Sequence, residues 1–246
     1  MSAVLLLDLD HTLYPSTAPT LPAVDARITS FIETRLALPS DLADQMRRDL
    51  CAEHGTTLRG LEILHGVSRD EYTDYIQDLG DHLMPDPDPR LREWLIAAAA
   101  FHPTYIFTNA RRDWAHRCLE RLGLSDLHGD MQSVTGETQA KHENDAGGDS
   151  AAGRVFGDIL DIDFMGWAGK PQPSAFEKVE AFLRARHPGS EARVFADDRL
   201  DNLAAARARG WRTVWVRPHD APRASLDAGA GHRVVDSLLE LDPGKL

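Results

Sequence analysis

Short apolar segments alternate with longer amphipathic segments along this chain, and this alternation limits the fold more than any other feature of the sequence. The apolar segments are typical of buried strands and lie at residues 3–7, 104–107, 154–160, 193–196 and 212–216. Strands that alternate with helical patterns of this length are typical of βα units and indicate a mainly parallel sheet. We therefore predict an α/β fold with a doubly wound sheet, in which ligands bind at the carboxyl ends of the strands.

Residues 16–88 interrupt the alternation with helical patterns alone. Apolar residues recur there at helical spacing in groups that we expect to face a core, namely Val24, Ile28, Phe31 and Ile32, then Leu42, Met46 and Leu50, then Leu58, Leu61 and Leu64. Ser68 and Glu71 form a capping-box pattern that begins a fourth helix. We predict a helical cap domain at residues 16–88, inserted into an α/β core formed by residues 1–15 and 89–246.

Residues 137–153 are polar, rich in glycine and nearly free of large apolar side chains. Such a segment could fold over the ligand as a second small flap, or it could be a variable surface insertion. Because a segment of this composition buries little apolar surface, we favour the surface insertion.

The composition argues against several classes of partner. Asp and Glu number 39 against 27 Lys and Arg, a net charge of −12, which disfavours nucleic-acid polymers because they are bound by clustered cations. No apolar run approaches the roughly 20 residues that cross a membrane, and the first run ends at Asp8 without a signal-peptide pattern. Cys51 and Cys118 alone cannot build a disulfide framework. We expect a cytoplasmic monomer or homodimer that acts on a small molecule.

Asp8 and Asp10 directly follow the first strand. In an extended segment, residues two apart project to the same side, so both carboxylates can face one ligand. One carboxylate could attack a phosphorus atom while the other passes a proton to the leaving oxygen. Two carboxylates this close repel each other and favour a divalent cation nearby. A lone pair of this kind is more often a turn or a surface pair, but its position after a buried strand favours function.

Thr108, Asn109 and Lys170 offer groups that bind phosphate. Thr108 and Asn109 follow the second strand, where a hydroxyl and an amide can donate to a phosphate oxygen, although both residues also suit a helix N-cap. Lys170 stands between Gly169 and Pro171 just before an amphipathic helix. A stiff turn of this kind can hold an ammonium near carboxylates and a phosphoryl group, whereas most lysines are simply exposed.

Asp197 and Asp198 follow the strand at residues 193–196 and supply the hard oxygen ligands that magnesium prefers. Acidic residues also suit the dipole of a helix N-terminus, but two adjacent ones exceed what capping requires. A parallel sheet would bring all these clusters to one edge. Together they form a complete set of groups for phosphoryl transfer.

These motifs resemble those of the haloacid dehalogenase-like hydrolase superfamily, in order along most of the chain: Asp8-Leu9-Asp10-His11-Thr12, Thr108-Asn109, Lys170, and Asp197-Asp198 with Asn202. The resemblance implies a Rossmann-like core with a helical cap inserted after the first motif. It implies that Asp8 is the nucleophile, that Asp10 is the general acid and then the base, and that Thr108 and Lys170 hold the phosphoryl group. It also implies Mg²⁺ bound by the Asp8 carboxylate, the Asp10 carbonyl and Asp198, with Asp197 assisting.

Within the superfamily, the sequence is similar to the pyrimidine 5′-nucleotidase-like branch, in the segments 8–15, 106–110, 115–124, 169–176 and 195–202. The resemblance implies hydrolysis of nucleoside 5′-monophosphates, with small sugar or acid phosphates as alternative substrates. An acid at Asp10 favours a phosphatase, because dehalogenases of the superfamily lack one there. His11, Arg199 and Trp114 depart from the residues usual in the branch.

Two further residues are candidates for contact with the substrate, and one alternative stands against catalysis. Tyr14 could stack on a nucleobase or pack at the hinge between core and cap. Arg111 could bind an anionic substrate or form a solvated first turn of a helix. A binding or regulatory protein that retained the fold is the alternative to an enzyme, and the intact set of Asp8, Asp10, Lys170 and Asp198 argues against it.

Overall fold

The computed structural model describes residues 3–127, 154–221 and 231–246, so the glycine-rich segment 137–153 lies outside the described residues. Six parallel strands form one sheet in the order β3-β2-β1-β4-β5-β6. Their bounds are β1 Val4–Leu7, β2 Thr104–Phe107, β3 Phe156–Leu160, β4 Arg193–Asp197, β5 Arg212–Val216 and β6 Arg233–Val235. The predicted doubly wound α/β fold is confirmed, and among the strands of the described residues the sequence patterns missed only the short β6.

Strand β1 lies in the middle of the sheet, between β2 and β4, with Leu7 paired to Ile106 on one side and to Ala196 on the other. Its side chains alternate between two apolar cores. Leu5 and Leu7 enter the core on one face of the sheet, and Val4 and Leu6 enter the core on the other face. This burial on both faces explains the continuous apolar run, which is usual for the central strand of a parallel sheet.

Two helices cover each face of the sheet. Helices α5 (Pro89–Ala99) and α6 (Arg112–Arg121) pack on the face that holds Leu5, while α7 (Pro173–Arg186) and α8 (Leu200–Ala208) pack on the opposite face. The start of α5 is defined locally, since the Asp88 side chain accepts from Arg90 N at 2.9 Å and Pro89 occupies the first turn.

Four helices lie between β1 and α5: α1 (Thr20–Leu36), α2 (Ser40–His54), α3 (Thr57–His65) and α4 (Arg69–Gln77). They enclose an apolar cluster of their own around Ile28, Phe31, Ile32, Leu61 and Tyr72. We call residues 16–88 the helical insertion. The division into a cap domain and a core with the bounds given above remains a prediction.

Two details of the insertion correct the sequence analysis. Leu42 and Leu64 are 53% and 57% exposed, so the helical spacing that marked them as core residues was wrong at those positions. Ser68 occupies the N-cap position of α4, but its side chain accepts no capping hydrogen bond. Among the described helices, none is both long and apolar enough to span a membrane.

Candidate active site

The four sequence motifs meet at one end of the sheet, and three of them stand directly at strand ends. Asp8 follows β1, Thr108 follows β2, and Asp197 is the last residue of β4. Because β1 lies between β2 and β4, these residues are neighbours at one end of the sheet, which we call the carboxyl edge. Lys170, the third motif, reaches the same place from the loop before α7.

Lys170 is 2% exposed and its ammonium connects three strands. Nζ lies 2.9 Å from Asp8 Oδ1 and 2.8 Å from Asp197 Oδ2, and it donates to the Phe107 carbonyl at 2.7 Å. Burial lowers the pKa of Lys170, but the charges of Asp197 and Asp8 more than offset this effect, and the pKa is raised. The side chain is therefore a fixed cation at neutral pH.

The backbone of Lys170 is held by Asn109. The Asn109 Oδ1 atom accepts from Lys170 N at 2.7 Å, and its Nδ2 donates to the Lys170 carbonyl at 2.9 Å. Asn109, which the sequence predicted as a phosphate ligand, is thus engaged in positioning the lysine. The hydroxyl of Thr108 accepts from Ala110 N at 3.0 Å, which leaves its own proton free to donate to a bound phosphate.

Asp197 and Asp198 differ although they are adjacent. Asp197 is fully buried, and its oxygens accept from Lys170, from the Asn202 amide at 3.0 and 3.1 Å, and from Arg199 N at 2.8 Å. Asp198 has a side chain 14% exposed to the cavity, and its Oδ2 lies 3.7 Å from His11 Nδ1. The bonding of Asp197 is that of a structural anion, whereas Asp198 keeps oxygen atoms available for a ligand.

The carboxyl edge has the composition of a divalent-cation site. One oxygen each from Asp8, Asp197 and Asp198 lies within 4.8 Å of the others. Burial raises the pKa of Asp8 well above its ordinary value; Lys170 opposes the rise, and Asp197 and Asp198 add to it. A further positive charge would keep Asp8 ionised. The buried Asn202 Oδ1 has no partner among the described residues, so an acceptor remains open at the same place. This donor set fits Mg²⁺.

Two aromatic residues donate hydrogen bonds to the Asp10 carboxyl group. Its Oδ1 accepts a hydrogen bond from the Tyr14 hydroxyl and a second one, at 3.3 Å, from Trp114 Nε1. Burial raises the pKa of Asp10, and these two donors oppose the rise. No sequence pattern indicated either contact, although Trp114 departs from the residue usual in the related branch.

A cavity of about 640 Å³ lies between the carboxyl edge and the helical insertion. The edge contributes Asp8, Asp10, Thr108, Asn109, Lys170 and Asp198, and the insertion contributes, among others, Val24, Asp25, Ile28, Arg47, Tyr72 and Ile76. Of the second group, the sequence indicated only Tyr72, as an aromatic residue that could stack on a base or pack in the cap. Helical spacing does not tell which side chains of a cap face the cavity. The cavity is of a size for a small organic ester.

The two predicted substrate contacts have different environments. Tyr14 is 3% exposed, packs in the apolar core on the Leu5 face and is absent from the cavity wall, so packing at the junction describes it better than stacking on a substrate. Arg111 lies on the wall, but its Nη1 donates to Thr73 Oγ1 at 2.9 Å and to Asp70 at 3.3 Å in α4. In this arrangement Arg111 joins the carboxyl edge to the helical insertion.

Comparison with solved structures decides the fold. A haloacid dehalogenase-like hydrolase from Bacteroides fragilis matches with a TM-score of 0.58 at 16% identity, over 98% of this chain and 100% of that one. The HAD-hydrolase YfnB from Bacillus subtilis, solved with magnesium bound, matches with a TM-score of 0.55 at 17% identity, over 97% and 96%. The chain has the haloacid dehalogenase-like hydrolase fold. In this fold the four motifs expected from the resemblance occupy the carboxyl edge described above.

Sequence comparisons add a partial match to a curated protein. No known protein-family model matches the chain. Phosphate metabolism protein 8 of Saccharomyces cerevisiae is 30% identical over 134 residues, which cover 50% of this chain and 41% of the yeast protein. The match thus spans less than half the length of that curated relative.

Proposed function

We propose that this protein is a magnesium-dependent phosphomonoester hydrolase that forms an aspartyl-phosphate on Asp8. The observation that carries the proposal is the arrangement of Lys170, whose ammonium lies 2.9 Å from Asp8 Oδ1 while Asp8, Asp10 and Thr108 all line the same cavity. A nucleophile, a proton carrier and phosphate donors then surround one position. This is the set of groups that phosphoryl transfer requires.

In the first half-reaction, an oxygen of Asp8 attacks phosphorus and the bond from phosphorus to the ester oxygen breaks. Asp10 gives its proton to that oxygen, so the leaving group departs as an alcohol. The three protons of the Lys170 ammonium face Asp8, Asp197 and the Phe107 carbonyl, so its positive charge stabilises the transferring group through space. The free proton of the Thr108 hydroxyl can be donated to a phosphoryl oxygen.

In the second half-reaction, Asp10 takes a proton from a water molecule as that water attacks phosphorus. The bond between phosphorus and Asp8 breaks, which restores the carboxylate and releases inorganic phosphate. The Asp8 and Asp198 carboxylates, with the Asp10 carbonyl, would hold the magnesium ion. That ion neutralises charge on the phosphoryl oxygens when it is bound.

The proton on Asp10 distinguishes this chemistry from dehalogenation. An alkoxide is a poor leaving group and needs a proton, whereas a halide leaves without one. Asp10 lines the cavity and has its pKa raised by burial, so it can hold a proton to be donated. We therefore propose a phosphatase and not a dehalogenase.

For the substrate we propose nucleoside 5′-monophosphates first and small sugar or acid phosphates second. The branch likeness at Thr108 and Lys170 motivates the first choice, and the insertion supplies an apolar wall for a base through Val24, Ile28 and Ile76. The partial yeast relative carries a name that refers to phosphate metabolism, which supports a phosphate ester over other substrates. We further propose a cytoplasmic location, since Cys51 and Cys118 are both free, and a monomeric or homodimeric state.

The test is phosphate release from a panel of nucleotides, sugar phosphates and phosphorylated acids, measured with magnesium and with a chelator. We expect turnover of one ester class, loss of turnover on chelation, and loss in Asp8→Asn. No preference for any nucleotide would overturn the first substrate choice. Turnover that survives in Asp8→Asn would overturn the mechanism, and no turnover of any ester by the wild-type protein would favour the binding-protein alternative.

A further inference from the structure

Both hydrogen bonds that Asp10 receives from neighbouring side chains fall on one of its two oxygens. Tyr14 and Trp114 each donate to Oδ1, while the structure gives Oδ2 no donor from the part of the chain that it describes. Because a phenol hydroxyl and an indole N–H both act here as donors, they occupy the lone pairs of Oδ1. Oδ2 is the oxygen left to face a ligand in the cavity, whose wall includes Asp10.

This asymmetry decides where the carboxylic acid carries its proton. A proton on Oδ1 could be accepted only by the Tyr14 hydroxyl, because Trp114 Nε1 is a donor alone, and the hydroxyl would then give up the one acceptor that it has among the described residues. A proton on Oδ2 causes no such conflict, because the unprotonated Oδ1 can still accept both hydrogen bonds. The two aromatic side chains therefore leave a single oxygen for proton transfer.

The two donors are also rigid. Tyr14 is 3% exposed and Trp114 is 5% exposed, and both pack in the apolar core on the Leu5 face of the sheet. Tyr14 returns toward Asp10 because the chain turns directly after β1, with His11 in the left-handed region at φ 57° and Leu13 N donating to the Leu9 carbonyl. Trp114 approaches from the first turn of α6. Their packing fixes the orientation of the Asp10 carboxyl group.

We propose that Tyr14 and Trp114 are positioning residues that reserve Oδ2 of Asp10 for proton exchange with the leaving oxygen and with the attacking water. The inference rests on the proposed phosphatase function. In the first half-reaction the proton moves from Oδ2 to the ester oxygen as its bond to phosphorus breaks. In the second, Oδ2 takes a proton from the water that attacks phosphorus, so the proton inventory balances over one turnover.

The experiment compares two esters of similar size that differ in their need for a proton. The oxygen of 4-nitrophenyl phosphate leaves readily as an anion, whereas that of benzyl phosphate needs protonation. We would measure kcat/KM with magnesium for the wild type, Tyr14→Phe and Trp114→Phe. This parameter reports the first half-reaction, which ends when the alcohol departs.

We expect each variant to lose about 10- to 100-fold in kcat/KM for benzyl phosphate, a part of what a general acid contributes. The loss for 4-nitrophenyl phosphate should stay below about threefold, because that leaving group needs little help from a general acid. A purely structural role would lower both values equally. Tyr105→Phe and Trp94→Phe are matched controls, since their polar atoms bond to His187 and to the Leu241 carbonyl, outside the cavity.

Equal losses for the two esters, or unchanged kinetics, would overturn the inference. Tyr14→Phe decides the matter even where Trp114→Phe folds poorly, because it removes one oxygen atom and keeps the packed ring. A wild-type protein that hydrolyses neither ester would contradict the proposed function instead, so the two failures are distinguishable.

Discussion

The carboxyl edge and the helical insertion face each other across one cavity, but different contacts hold their charged groups in place. At the edge, the buried Lys170 ammonium binds acceptors from the ends of three strands, including Asp8 and Asp197. In the insertion, Arg47 pairs with Asp25 at 2.8 Å and with Asp44, whose side chains are 52% and 37% exposed. The charged groups of the edge are thus buried at the ends of paired strands, whereas those of the insertion wall lie on packed helices and are partly exposed. We expect the edge to be far less tolerant of substitution.

The sharpest form of this comparison replaces one carboxylate on each side of the cavity by an amide. Asp8→Asn removes the proposed nucleophile and should lower kcat for 4-nitrophenyl phosphate by at least about 1000-fold. Asp25→Asn changes a half-exposed carboxyl group on the opposite wall and should cost less than about tenfold, mainly in KM. Steady-state kinetics of both variants provides the measurement. Comparable losses in kcat would show that the insertion takes part in the chemistry and would break the comparison.

A second pair of substitutions removes one cation from each region. Lys170→Met leaves Asp8 and Asp197 buried without their counter-ion and should lower the free energy of unfolding by about 3–5 kcal/mol. Arg47→Met acts on a pair that solvent screens and should cost about 1 kcal/mol. Urea denaturation without divalent cation, followed by circular dichroism, measures both effects. If Lys170→Met were no more destabilising than Arg47→Met, the Lys170 ammonium would not be what stabilises the buried carboxylates of the edge.

The third comparison lies inside the insertion and tests its packing. Ile32 is 0% exposed and belongs to the apolar cluster, whereas Leu42 is 53% exposed. Ile32→Ala should lower the free energy of unfolding by about 2–4 kcal/mol through lost burial and a cavity, and Leu42→Ala should change it by less than about 0.5 kcal/mol. Thermal and urea denaturation of the two variants would measure this difference. Equal costs would mean that the exposed face of α2 is packed in solution.

Leu42 and Leu64 show why the insertion was predicted less well than the sheet. Both fit the helical spacing of a buried face, yet they point outward because an apolar stripe gives only the direction averaged over a helix. Which residues at its margin are covered depends on the neighbouring helix. That helix is placed by tertiary contacts that the sequence pattern does not contain.

The carboxyl edge was predictable because the position of each residue follows from topology. Asp8, Thr108 and Asp197 stand at strand ends, and parallel pairing brings such ends together wherever the strands are adjacent. The contacts of Asp10 were not predictable in the same way. Trp114 meets it from a helix 104 positions along the chain, and Tyr14 meets it through a turn whose left-handed residue, His11, carries no glycine signal in the sequence.

The smallest predicted effect concerns Asp198, whose charge is expected to destabilise the edge without a cation and to help bind the cation. Burial raises the pKa values of Asp8 and Asp197, and the charge of Asp198 adds to the rise. The carboxylates of the edge therefore repel one another when no divalent cation is bound. Asp198→Asn removes one of these charges and should raise the free energy of unfolding in chelator by about 0.5–1 kcal/mol. The same variant should lose most of the stabilisation that magnesium gives the wild type through binding to the folded state.

Thermal unfolding in chelator and in excess magnesium chloride measures both parts of this prediction without any assay of activity. Asp86→Asn is the matched control, because Asp86 is exposed in the loop before α5 and is absent from the cavity wall; it should change neither the midpoint nor the magnesium shift. A full magnesium shift in Asp198→Asn would mean that the ion binds elsewhere. A lower midpoint in chelator would mean that the 3.7 Å contact with His11 stabilises the fold more than repulsion between the carboxylates destabilises it. Either result would contradict the prediction that repulsion among the carboxylates of the edge, relieved by a cation bound there, sets the stability of the edge.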